Sequence, residues 1–327
     1  MRKMTNRLLP ALLGLAMLAA APTLRAQGAY PDKPITLIVG FPPGGGVDIV
    51  ARQLAETLSE QLGQRVVIDN KAGAAGNVAM DFVARARPDG YTLLMGNLGM
   101  LAANPVLYPK LSFDASRDFA PVARVVVTPL LAAVPSTLPV KNMQELVALA
   151  KAKPGTLNFG SGGNGNINHL AGELLKLQTG TQITHVPYKG SAPALADLVA
   201  GHIQLVIDGF NVVQPSVAGG RARAIGITGD TRSPAMPDVP TMKESGLPDL
   251  VIYGWQGVFA PAATPPVIIE RLSAEVARAL ANPALKSRLS GQGTEPAYQP
   301  PAQFRTYITA EQQRWATVIN TAKITVD

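Results

Sequence analysis

The sequence predicts an α/β protein of two doubly wound lobes joined by a hinge that the chain crosses twice. Three observations carry this expectation. Short apolar, β-branched runs alternate with segments of helical period, the pattern of a mainly parallel sheet covered by helices. A strand, a glycine-rich loop and a helix follow one another near residue 35 and again near residue 157. Beyond residue 252 the chain returns to strand and helix patterns that complete the first lobe.

The first lobe opens with Ile35-Thr-Leu-Ile-Val-Gly40, a run suited to a buried strand. Phe41-Pro-Pro-Gly-Gly-Gly46 cannot continue it. Ile49, Val50, Leu54, Leu58 and Leu62 then recur at helical spacing and stop at Gly63. Residues 65–69 and 91–95 predict further strands, residues 70–76 a second glycine loop and residues 77–87 a helix. In the second lobe, Leu157–Phe159 leads through Gly160-Ser-Gly-Gly-Asn-Gly165 into a helix from Ile167 to Leu177. Ile183–Val186, Ala194–Ala200 and Ile203–Ile207 continue the alternation up to Asp208. Ile225–Thr228 and Tyr253–Ala260 predict strands on either side of a proline-rich passage, and helices follow over 266–281, 283–290 and 301–322. The expected boundaries are a signal segment over 1–26, lobe 1 over 27–125 and 252–327, and lobe 2 over 126–251.

The signal segment rests on a basic start (Arg2, Lys3, Arg7), an apolar stretch over 8–21 too short to span a membrane, and Thr23-Leu24-Arg25-Ala26, which can end in a cut after Ala26 although Leu24 is not the ideal residue three before it. Its removal takes four of the seven net positive charges and leaves 301 residues at +3, destined for export. With no run of like charge, nucleic-acid binding has no electrostatic footprint. The absence of cysteine excludes disulfides, thiolate metal sites and cysteine nucleophiles. The three histidines have no paired-ligand spacing, so no metal is expected.

Ligands of open α/β sheets bind beyond the carboxyl ends of the strands, where both main glycine loops fall. A helix start offers unpaired N–H groups and about half a positive charge, and glycines let an anion come close. Hydrogen bonds to a charged group are worth about 1.5–3 kcal/mol each. Four or five of them supply much of the roughly 8 kcal/mol of micromolar binding. The alternative is that these glycines only make turns. Gly160 to Gly165 fits the dinucleotide G-x-G-x-x-G, but His185, Pro187 and Tyr188 stand where the ribose-binding acid belongs, so no cofactor is expected. Ser161 as the nucleophile of a secreted hydrolase needs a base within about 3 Å, and the sequence nominates none. Asp48 either braces its loop against the helix dipole or meets a ligand amino group. Asp208 either accepts from a ligand amine or hydroxyl or caps the loop that follows. Trp255 and Trp315 read as packing residues, and His202 as a surface residue.

Several stretches together resemble the Bug family, the periplasmic receptors of tripartite tricarboxylate transporters. They are Tyr30-Pro-Asp-Lys-Pro-Ile35, Phe41-Pro-Pro-Gly-Gly-Gly-Val-Asp-Ile-Val-Ala-Arg52, Arg87-Pro-Asp-Gly-Tyr-Thr-Leu-Leu94 and Asp118-Phe-Ala-Pro-Val122. Further on come Gly162–Gly165 with His169-Leu-Ala-Gly-Glu173, Val186-Pro-Tyr-Lys-Gly190, Met236-Pro-Asp-Val-Pro-Thr241, Phe259-Ala-Pro261 and Arg314-Trp315. The resemblance implies a type II periplasmic binding protein fold and a small mono- or dicarboxylate held by backbone groups and ordered waters. It also implies delivery to a two-component membrane permease, or service as the sensor subunit of a membrane two-component system. A monomer is expected. The candidate ligand-binding residues are Phe41, Pro42, Gly44, Gly45, Gly46 and Asp48 in the first loop, then Ala74, Gly76 and Asn97. From lobe 2 they are Ser161, Gly163, Asn164, Gly165, Asn166 and His169, with Tyr188 and Asp208. Two departures from the family pattern stand out. Val47 replaces a hydroxyl residue before Asp48, and Asn166-Ile167-Asn168 replaces hydroxyl residues before His169. They predict a ligand whose second end is less polar than citrate, either aromatic or a plain diacid.

Overall fold

The computed structural model describes residues 30–326, so the expected signal segment lies outside the described residues. The chain begins with β1 (Ile35–Val39), α1 (Gly46–Leu62), β2 (Val66–Asn70), α2 (Asn77–Ala84) and β3 (Thr92–Asn97). β1 is central and pairs in parallel with β2 on one side and β3 on the other. Its sequence is apolar except at Thr36, and it is buried throughout except at that residue, because helices cover both faces of the sheet. α1 ends at Gly63 in the left-handed conformation that a residue without a Cβ adopts freely. α2 stops at Ala84, three residues short of the expected end.

A π-helical turn over Gly99–Ala103 runs into α3 (Asn104–Leu107), and β4 (Phe119–Pro135) follows. The second half alternates α4 (Met143–Ala152), β5 (Leu157–Ser161), α5 (Ile167–Thr179), β6 (Ile183–Pro187) and α6 (Ser191–Ala200). It ends with β7 (Leu205–Gly209), α7 (Phe210–Ala218) and β8 (Ala222–Ile227). The chain then returns through β9 (Tyr253–Pro261), α8 (Pro266–Ala281), α9 (Pro283–Gly291), β10 (Glu295–Gln299) and α10 (Pro301–Ala322).

The strand order is β2-β1-β3-β9-β4-β7-β5-β6, with β8 and β10 also paired to β4. The expectation of mainly parallel pairing holds only where a helix links successive strands, namely β1 with β2 and β3, and β5 with β6 and β7. β9 enters antiparallel between β3 and β4, and β4 is antiparallel to β7 and β8. These strands arrive from distant parts of the chain with no crossover helix to impose direction.

β4 belongs to both halves. Phe119 to Pro129 lie along β9, and Leu130 to Pro135 lie along β7 and β8. The returning segment crosses beside it, and Thr228 fastens the two together. Its Oγ1 accepts from Leu130 N–H at 2.8 Å and donates to Ile252 C=O at 2.5 Å. Its backbone also bonds to Leu130 and Ile252. One hydrophobic core runs through both halves, from Leu94 and Met100 to Phe159, Leu170, Trp255 and Trp315. Two others lie under the outer helices of each half. α10 packs on both β4 and α5, so the C-terminal helix bridges the halves.

Candidate functional site

A cavity of about 250 Å³ lies between the two halves. From the first half its wall takes Phe41, Gly46 and Val47 before and within the first turn of α1, then Ala75, Asn97, Leu98, Gly99 and Asn104. From the second it takes Gly165 to Asn168 at the start of α5, Ser191 at the start of α6, and Asp208, Gly209, Asn211 and Val212 where β7 becomes α7. Strands β4 and β9 close it with Thr128, Leu130, Gly254, Trp255 and Gln256, and Thr294 lies at the edge.

The starts of α1, α5, α6 and α7 therefore meet at one space. None of them carries a hydrogen bond from its N-cap side chain; the caps are Gly45, Asn166, Gly190 and Gly209. Helix starts without capping acceptors leave N–H donors and positive dipole ends available to an anion. Asp208 is the one ionisable side chain among the residues that line the cavity.

Each loop is held by buried polar groups behind it. Asp48 is 1% exposed. Its Oδ2 accepts from Gly44 N–H and Arg52 Nε, both at 2.8 Å, and its Oδ1 accepts from Asn70 Nδ2 at 2.8 Å. Asn70 Nδ2 also donates to Phe41 C=O. Burial pushes the Asp48 carboxyl up, but the bonds from Arg52, Gly44 and Asn70, with the Arg52 charge, hold it below the usual carboxylate range. Asp48 thus supports the loop from behind and is absent from the cavity wall.

In the second half, Gly165 has φ +76° and donates its N–H to His169 Nδ1 at 3.1 Å. The His169 ring stacks on His185 with centroids 3.7 Å apart and planes 8° from parallel. Burial, then the neighbouring His185 and Lys176 charges, push His169 down to about 3. Burial and Lys176 push His185 down to about 4. Both rings are neutral at pH 7, as the acceptor role of His169 Nδ1 requires. Ser161 Oγ lies 2.6 Å from His185 Nε2, so the structure supplies the base the sequence did not nominate. Yet Ser161 has no exposed surface and is bonded within its own loop to Gly163. A substrate has no route to that hydroxyl in this conformation.

Of the expected site residues, Phe41, Gly46, Asn97, Gly165, Asn166 and Asp208 meet at the cavity. Pro42, Gly44 and Gly45 belong to the turn before α1, and Gly163 and Asn164 to the turn before α5; none is on the wall. Ala75 faces the cavity in place of Ala74 and Gly76. A Cβ on Gly76 would come within 2.7 Å of Met100, which shows how tightly that turn is backed. Ser161 and His169 lie behind the second loop, and the Tyr188 hydroxyl donates to Asp197 at 2.6 Å, away from the cavity. Asn104, Ser191, Asn211, Gln256, Thr128 and Thr294 went unrecognised. A single Gly209 before α7 was the one local signal for Asn211. Trp255 is both packed and on the wall, its indole N–H donating to Glu311.

A mixed α/β sheet in two halves, with helix starts converging on a cleft between them, defines a solute-binding receptor with a periplasmic binding protein fold. Residues 50–324 match the profile of the tripartite tricarboxylate transporter family receptor, TctC. The chain belongs to that family, a class of solute-binding receptors and not of enzymes. It is 39% identical over 301 residues to protein BugT of Bordetella pertussis strain Tohama I, covering 92% of each chain. Its fold is similar to that of R. palustris Rpa4515 with adipate, at TM-score 0.83 and 38% identity, over 90% of this chain and 99% of that one. It is also similar to MatC (Rpa3494) from Rhodopseudomonas palustris with bound malate, at TM-score 0.77 and 34% identity, over 89% and 100%. No helix among the described residues is long and apolar enough to cross a membrane.

Proposed function

We propose that this receptor captures a small organic carboxylate, mono- or dicarboxylate, in the cavity between its halves and delivers it to a two-component membrane permease. The carrying observation is the convergence of four helix starts, none capped by its N-cap side chain, on a cavity whose wall holds no cationic side chain. Backbone N–H groups in the first turns of α1 and α5 hold one carboxylate. Side-chain amides of Asn97, Asn104, Asn166, Asn211 and Gln256 orient the rest. The Bug-like relatives with adipate and malate support a dicarboxylate. The protein works as a monomer in the periplasm, exported by residues 1–26. Residues 27–125 with 252–327 form one lobe and residues 126–251 the other, and they close on the ligand.

A thermal-shift screen of about fifty carboxylates on the protein freed of residues 1–26 tests this. At 100 times its dissociation constant, a true ligand adds about 2.7 kcal/mol to stability. Hits confined to carboxylates, recovered chemically unchanged, with a smaller radius of gyration on binding, support the reading. A panel without hits, or a hit converted to product, overturns it.

A further inference from the structure

The acid on the cavity wall has no cationic counterpart there. Asp208 is the penultimate residue of β7, is 8% exposed, and accepts from Asn168 Nδ2 at 2.8 Å and from Gly209 N–H at 2.7 Å. The elements packed against β7 are β4, β5, α5, α6 and α7, and their charged groups are engaged elsewhere. Arg124 of β4 donates to Ala297 C=O and lies over the Tyr307 ring. On α5, His169 accepts from Gly165, and Lys176 pairs with Glu173 at 2.7 Å. Asp197 of α6 accepts from Tyr188 and pairs with His202. β5 and α7 carry no ionisable side chain. A second acceptor on the same wall, Gln256 Oε1, is buried without a hydrogen-bond partner. At Asp208 and Gln256 the wall thus offers acceptors, and one potential negative charge, to whatever enters.

We propose that the ligand group facing Asp208 carries a proton, so that binding a doubly ionised dicarboxylate takes up one proton from solvent. That proton sits between the ligand carboxyl and the Asp208 carboxyl, as carboxylates crowded in a low-dielectric site share one. Burial, which raises the Asp208 carboxyl against the bonds from Ser191, Asn168 and Gly209, favours the same state. The inference rests on the carboxylate-receptor reading and adds to it a preference for singly charged ligands.

Calorimetric titration with adipate, in buffers of different ionisation enthalpy between pH 6 and 8, measures the proton directly. The expected result is uptake of one proton and an affinity that falls up to about tenfold per pH unit. The monoamide of adipate, whose second end donates N–H without titrating, is expected to lose far less affinity over the same range. Asp208→Asn keeps an acceptor for Asn168 and is expected to flatten the adipate profile and to bind the dianion more tightly than the parent at pH 8. Should that variant not fold, the comparison of adipate with its monoamide on the parent protein still decides. Adipate that binds equally at both ends of the range, or at neither, overturns the inference. Silence of the whole carboxylate panel overturns instead the receptor reading beneath it, and this inference with it.

Discussion

Gly165 and Gly46 both line the cavity and are opposite cases of the same residue type. Gly165 adopts φ +76°, and a Cβ there would stand 2.5 Å from the Leu107 side chain, which is itself in the core. Gly165→Ala is expected to cost about 1–3 kcal/mol in urea unfolding and at least tenfold in ligand affinity. Gly46 has no such strain, and its nearest neighbour for a Cβ is Asn211 Nδ2 at 4.0 Å. Gly46→Ala is expected to leave the melting temperature unchanged or higher, while the added methyl on the cavity wall lowers affinity. The histidine pair makes a separate prediction about pH. With folded values near 3 and 4 against about 6.5 unfolded, the unfolded chain binds more protons between these limits. The stability from neutral burial is complete above pH 6.5 and is lost as pH falls toward 4, by up to about 1.4 kcal/mol per unit for each ring. Urea midpoints at pH 7 and pH 5 are expected to show the loss, and His169→Gln with His185→Gln is expected to flatten it.

At the scale of elements, the helix starts of α1 and α5 were legible because runs of glycine announce them. The start of α6 was read three residues late, at Ala194 instead of Ser191, and α7 was not read at all, since Gly190 and Gly209 are single glycines that also read as ordinary turns. β4 was missed for a related reason. Its sequence, FAPVARVVVTPLLAAVP, carries prolines that argue against a central strand. The structure accommodates Pro121 at a register shift and Pro129 at the handover between halves. β4 is buried along nearly all its length, so no polar alternation marked it either. By contrast, α8 and α10 followed their apolar period closely. The two departures from the family pattern, Val47 and Ile167, both lie on the cavity wall, in the first turns of α1 and α5. Val47→Ser with Ile167→Ser is expected to shift preference from a plain diacid toward citrate by about tenfold, read by competition calorimetry. Unchanged preference would remove these positions from the account of specificity.

For the whole molecule, the junction at Thr228 governs how the halves stay together. Thr228→Val leaves a buried Leu130 N–H and Ile252 C=O without the hydroxyl, at about 1–3 kcal/mol for each unpaired group. The expected readout is a lower urea midpoint together with a broader range of radii in solution scattering of the unliganded protein. The same topology has a consequence for the order of events in making the molecule. Leu94 of β3 pairs with Phe259 of β9, roughly 160 residues later in the chain. At about 5–20 residues per second, the edge of the first sheet waits on the order of ten seconds or more for its partner. Throughout that interval the amino-terminal third cannot lock into its final form. Under the export proposed for residues 1–26, the delay keeps the growing chain threadable, and the late strand sets the moment at which it ceases to be so.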